Sequence, residues 1–107
     1  MADALKVLAQ VNPSAATLTD AYTVPAAASA IVDALVCNRS AVATSFRVSV
    51  AVAGVADAMT QYQAYDEVIA GNARARISGL TMATTDVVRV YATLATLTFT
   101  VVGIEVM

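Results

Sequence analysis

The feature that most restricts this chain is a side-chain alternation of period two. Phe46, Val48, Val50 and Val52 fall on one parity, and Ser45, Arg47, Ser49 and Ala51 on the other. Only an extended strand sends successive side chains to opposite faces; a helix needs apolar residues three and four apart. The pattern returns in Ala73, Ala75 and Ile77 against Arg74, Arg76 and Ser78, and in Val88 and Val90 against Val87, Arg89 and Tyr91. Leu97, Phe99 and Val101 set against Thr98 and Thr100 repeat it. Alanine is the commonest residue and favours helix by propensity. Valine and threonine come next, and their branched side chains favour strands. No segment carries a helical apolar stripe with a polar back, so the alternation decides for strand.

Read along the chain, this predicts eight short strands, near residues 5–11, 17–24, 30–38, 44–52, 61–66, 74–78, 86–92 and 97–106. The breaks carry turn chemistry at Asn12-Pro13-Ser14, Pro25, Asn38-Arg39-Ser40, Gly54, Gly71-Asn72, Gly79 and Thr84-Thr85-Asp86. Strands spaced by roughly 8–14 residues, with no helix-length gap, predict a single antiparallel β-sandwich. A jelly roll of two four-stranded sheets is the natural packing. The strand holding Phe46, Val48, Val50 and Val52 is expected to bury that face against Val88, Val90, Leu97, Phe99 and Val101. A length of 107 residues gives one domain. Residues 53–60 fit either a loop or one helical turn. Residues 1–11 either form an edge strand of the sandwich or reach out as an assembly arm, with Asn12-Pro13 as the hinge.

Composition excludes several functions. Hydrophobic residues make up 59% of the chain, which excludes disorder. Charged residues make up 13%, against about 25% in an ordinary domain. There is no His and one Cys, so most general-base, metal and nucleophile chemistry has no residue to carry it. The basic residues Lys6, Arg39, Arg47, Arg74, Arg76 and Arg89 are scattered and the net charge is −2, which argues against a nucleic-acid partner. The longest uncharged run, residues 90–104, is only 15 residues long, holds five Thr or Tyr and alternates like a strand. A membrane-spanning helix needs about 20 mostly apolar residues. The first residues lack the pattern of a signal peptide. A chain short of charge, with no membrane segment, is expected to have much of its surface covered by other subunits.

Individual residues point the same way. Cys37 ends a Val/Leu-rich strand and reads as a buried, inert thiol in a reducing compartment. Asp66 and Glu67 are neighbours, so on a strand they face apart and do not form an acid–base pair. Asp20 and Asp33 are expected to point outward or to pair across a sheet, with Arg47 the candidate partner of Asp33. No loop offers the clustered oxygen ligands of a Ca²⁺ site, and Gly54, Gly71, Gly79 and Gly103 are isolated turn or bulge residues rather than a phosphate loop. No cofactor and no metal are expected. Tyr22, Tyr62, Tyr65 and Tyr91 read as edge or interface residues, with a stacking platform for sugars or bases as the other reading.

Four phrases carry a resemblance: Tyr22-Thr23-Val24-Pro25-Ala26, Val36-Cys37-Asn38-Arg39, Thr44-Ser45-Phe46-Arg47-Val48 and Asp86-Val87-Val88-Arg89-Val90-Tyr91. In this order and spacing the chain resembles small virion structural proteins of tailed bacteriophages, over roughly residues 22–104. Such proteins are capsid decoration (cement) subunits or tail- and fibre-associated β-modules. The resemblance implies a virion component assembled in the host cytoplasm. It implies protein partners, namely further copies as a trimer and the major capsid protein, with no nucleic acid and no membrane. It carries over no catalytic residue.

Three functions are therefore in competition. The first is a decoration subunit that binds and stiffens the head lattice. The second is a tail or fibre module contacting a receptor or glycan through its tyrosines. The third, an enzyme, has no residues to carry it. The expected assembly surface comprises Leu5, Val7, Leu8, Pro13, Tyr62 and Tyr65, with residues 1–11 adding a strand to a neighbour's sheet edge.

Overall fold

The computed structural model describes residues 4–106, as eight strands in two antiparallel sheets of four. The strands are β1 (Ala4–Val11), β2 (Thr19–Thr23), β3 (Ser29–Asn38), β4 (Thr44–Ala51), β5 (Tyr62–Ile69), β6 (Arg74–Met82), β7 (Val87–Ala92) and β8 (Leu97–Val106). The first sheet has the order β1-β8-β3-β6, and the second β2-β7-β4-β5. The first four strands pair with the last four in reverse: β1 with β8, β2 with β7, β3 with β6 and β4 with β5. Two further ladders, β3–β8 and β4–β7, form the middle of each sheet. Residues 53–60 combine both readings, because single 3-10 turns at Val52–Gly54 and Met59–Gln61 flank a loop.

The core lies between the sheets and follows the alternation. Ala30, Val32, Ala34 and Val36 of β3 are buried, as are Leu97, Phe99 and Val101 of β8. They face Phe46, Val48, Val88 and Val90 of the second sheet, and Phe46 meets Phe99 edge-to-face at 6.2 Å. Aromatic pairs favour this geometry, because the positive ring edge approaches the negative face. Val50 packs on the core only partly, and Val52 departs from expectation at 67% exposed. The strand ends at Ala51, and the chain turns away before Val52 can continue the face. Ser49 and Ala51, on the opposite parity, are nonetheless buried.

A loop on the second sheet accounts for that burial. Arg89 stands opposite Ser49 on β7 and donates from its guanidinium to the carbonyls of Val55 (2.8 Å) and Gly54 (3.1 Å). The buried Asp86 carboxylate accepts from the backbone N–H of Ala53 and of Ala83, both at 2.9 Å. Asn38 does similar work at the other end of the sandwich. Its side-chain amide donates to the carbonyls of Val42 and Ala70, and its oxygen accepts from the Ser40 N–H. Gly71 lets these two turns touch, since a Cβ there would come within 2.1 Å of the Ala41 carbonyl oxygen.

Edges and centres of the sheets are built differently. The β3–β8 ladder runs unbroken from Ser29 opposite Val106 to Asn38 opposite Leu97, and the β4–β7 ladder is also continuous. All four edge ladders shift register: between Val7 and Ala9, between Asp20 and Tyr22, between Val32 and Ala34, and between Phe46 and Val48. Each edge ladder also holds one ion pair. Lys6 of β1 meets Glu105 of β8 at 3.6 Å, and Asp20 of β2 meets Arg89 of β7 at 2.9 Å. Arg76 of β6 pairs with Asp33 of β3, and Arg47 of β4 meets Asp66 of β5 at 2.6 Å. The expected partnership of Asp33 with Arg47 is therefore incorrect. β3 and β4 follow one another in sequence but belong to different sheets, so each residue pairs within its own sheet. Residues 1–3 lie outside the described residues; from Ala4 onward the N-terminal segment takes the edge-strand position on β8.

Two measurements test this arrangement. Phe46→Ala removes a fully buried ring and should cost about 3–5 kcal/mol in denaturant unfolding, whereas Val52→Ala should stay within about 0.5 kcal/mol. The Asp33 carboxyl is held below its usual range, first by the Arg76 guanidinium and then by the Gly79 N–H. A lowered folded value stabilises the fold above the ordinary carboxylate range, near pH ~4, and that contribution is lost as the pH falls through the lowered value. Asp33→Asn should thus be less stable than the parent at neutral pH, and the gap should close in strong acid.

Candidate interaction surfaces

The outer face of the second sheet carries an aromatic and charged cluster. Arg47 points outward on β4, because its neighbours Phe46 and Val48 take the core side. Its guanidinium lies 4.2 Å from the ring centre of Tyr65 and 4.4 Å from that of Tyr91. A cation over an aromatic face is attracted by the ring quadrupole. Nε and an Nη of Arg47 donate to the two oxygens of Asp66 at 2.6 and 3.3 Å, which makes the pair bidentate and raises the guanidinium above its usual range. Asp66 reaches this position through a left-handed backbone (φ 50°) at the β5 register shift. Tyr62 packs edge-to-face on Tyr65 at 5.0 Å, and its hydroxyl donates to Asp57 at 3.0 Å. Burial and then that hydrogen bond push the Tyr62 hydroxyl above its usual range.

The outer face of the first sheet is split along its length. At one end Arg74, Arg76, Thr98, Thr100 and Cys37 surround a shallow groove of about 620 Å³ floored by Leu35. Pairing explains the grouping: Cys37 stands opposite both Arg74 and Thr98, and Leu35 opposite both Arg76 and Thr100. Arg39 adjoins it and donates to the Thr98 hydroxyl at 2.8 Å. Toward the other end Val7, Ile31, Val102 and Ile104 border a second groove, together with Lys6, Asp33 and Arg76. Val7 and Ile31 are 56% and 51% exposed.

Between the sheets, on the β1/β2 side, lies a polar contact that was not anticipated. The Tyr22 hydroxyl donates to the buried Glu105 carboxylate at 2.5 Å, and Lys6 approaches the other oxygen of that carboxylate. Burial, followed by the Glu105 hydrogen bond, pushes the Tyr22 hydroxyl well above its usual range. The signal was available in the parity of β8. Glu105 follows Leu97, Phe99 and Val101 on the core side, and an acid on that face needs a partner.

The expected assembly residues separate. Leu5 stands opposite Ile104 in the β1–β8 ladder, and Val7 is exposed on the outer face of the first sheet. Leu8 is half-buried and packs partly against the core at the β1 register shift, and Pro13 is buried. Tyr62 and Tyr65 join the Arg47 cluster on the other sheet. Cys37 is exposed, contrary to the expectation of a buried thiol. It alternates with the buried Val36 and Asn38, and so points outward from an otherwise apolar strand. Among the described residues, no group of three His, Cys, Asp or Glu could hold a metal ion. Among the same residues, no helix is long and apolar enough to cross a membrane.

No family model matches the chain, and no curated protein and no solved structure matches it.

The position of Cys37 has a direct consequence. The native protein should react with Ellman's reagent at one thiol without denaturant, and Cys37→Ser should change stability by no more than about 0.5 kcal/mol. A thiol that reacts only after unfolding would contradict the outward orientation of Cys37.

Proposed function

We propose that this chain is a non-enzymatic structural subunit of a phage virion, a capsid decoration protein that binds the head lattice through protein–protein contacts and stiffens it. The observation that carries this reading is the outer face of the first sheet. Val7 and Ile31 are more than half exposed there and border one groove with Val102 and Ile104. Exposed aliphatic residues grouped on a broad sheet face favour contact with another folded protein. The exposed valines elsewhere, at positions 42, 52, 55 and 68, extend the same tendency. The reversed pairing of the first and last four strands supports reading the sandwich as a jelly roll.

A tail- or fibre-associated module is the second reading, and it draws on the other sheet. Tyr65 and Asp66 are exposed beside Arg47, and an aromatic face next to a carboxylate suits the apolar face and hydroxyl groups of a sugar. Copy number separates the two. Quantified protein stain on purified virions should give a decoration subunit in numbers comparable to the major capsid protein. A copy number far below that would reject the decoration role and favour the tail reading.

A further inference from the structure

Among the described residues, Glu67 and Arg74 are the charged side chains with neither an ion pair nor a hydrogen bond. The other charges each hold an edge ladder, a turn or a tyrosine hydroxyl. The two free charges are opposite in sign and lie on different elements. Arg74 borders the groove over Leu35 on the outer face of the first sheet. Glu67 is exposed on β5, the edge strand of the second sheet. Beside it is Val68, which at 75% is the most exposed of the large apolar residues on the chain's described surface. Val68 and Leu94 border a further shallow groove with Ala43, Ser45 and Thr93, so the β5 edge is apolar as well as acidic.

We propose that the β5 edge of one copy docks into the Arg74 groove of a second copy. Charge complementarity selects this occupant, since the groove lacks an anion for Arg74 and the chain itself carries an unpaired anion next to an exposed valine. A strand sends neighbouring side chains to opposite sides, so an edge entering a groove meets both walls. Glu67 then reaches Arg74 on one side while Val68, on the other side of the strand, covers Leu35. Desolvation within the contact strengthens the ion pair relative to an exposed one. The contact joins different surfaces of the two copies, so it is head-to-tail and builds a ring or an open chain. It concerns the purified protein alone and does not depend on the virion reading.

Charge exchange tests it, read by sedimentation velocity across a concentration series. The parent should associate. Glu67→Arg and Arg74→Glu should each weaken association by about ten-fold or more, because each places like charges in contact. The double variant E67R/R74E should restore association to within a few-fold of the parent. Cys37 reports the same contact from inside the groove, and its alkylation by iodoacetamide should slow several-fold in the assembled parent but not in either single variant. A parent that stays monomeric at every concentration overturns the proposal. So do single variants that associate as the parent does, or a double variant no tighter than the singles. Circular dichroism checks that each variant is folded; should a reversed charge unfold the chain, Glu67→Gln and Arg74→Gln replace it, and unchanged association in both again rejects the contact.

Discussion

Everything in this sandwich depends on how its four open edges are closed off. An edge strand offers unpaired N–H and C=O groups to any passing chain, and a small domain with few charges has little to defend them. Here the charges are placed at the edges themselves. One ion pair crosses each edge ladder, and each of those ladders also shifts register. A shift bends and twists the strand, and the ion pair holds the bent strand to its inner neighbour. At β6 the link is explicit, because Asp33 pairs with Arg76 and also accepts from the N–H of Gly79, whose φ of 75° belongs to the irregular turn of the strand. The central ladders, with a partner on both sides, need no such device and run straight through.

The same economy applies to the connections. Asn38 ties two turns with three hydrogen bonds, Asp86 holds two backbone N–H groups, and Arg89 both closes the β2 edge and fastens the loop after β4. Buried polar groups with all their bonds made specify one arrangement, since any other leaves them unpaired. These residues fall within the sequence phrases Val36-Cys37-Asn38-Arg39 and Asp86-Val87-Val88-Arg89-Val90-Tyr91. Tyr22 and Arg39 bond to β8, Asp86 and Arg89 to the loop after β4, Asn38 to the turns at Val42 and Ala70, and Arg47 to β5, so they do not line a common cleft. The phrases are thus a record of how the sandwich is fastened.

This division explains what could be read from sequence. Strand positions and the buried faces were legible, because period-two alternation reports burial directly: Phe46, Val48, Phe99 and Val101 all lie in the core. Partners across the sheet were not. The pairing of Asp33 with Arg76 rather than Arg47 depends on sheet order, which alternation does not encode. Cys37 misled because its composition looks apolar, while parity with Ile31 and Asp33 turns it outward. Leu8 lies beside the β1 register shift and packs partly against the core, a placement that alternation alone does not give. Of the candidate surface, the tyrosines at 62 and 65 were legible as residue types. Their gathering with Tyr91 around Arg47 required the folded sheet.

The central position of β8 has a consequence for how such a chain acquires its shape. β8 lies between β1 and β3, so the first sheet has no middle until residues 97–106 are available. During synthesis β3 can first pair with β6, whereas β1, which pairs only with β8 in this sheet, waits for the later segment, and Ala4 finds its neighbour at Glu105. Closing so long a loop has a large entropic cost before any contact repays it. The second sheet, whose β4 and β5 are close in sequence, can begin pairing earlier. Until β8 arrives, the inner faces of β3 and β4 lack their cover, and unfinished chains expose apolar surface through which they can aggregate.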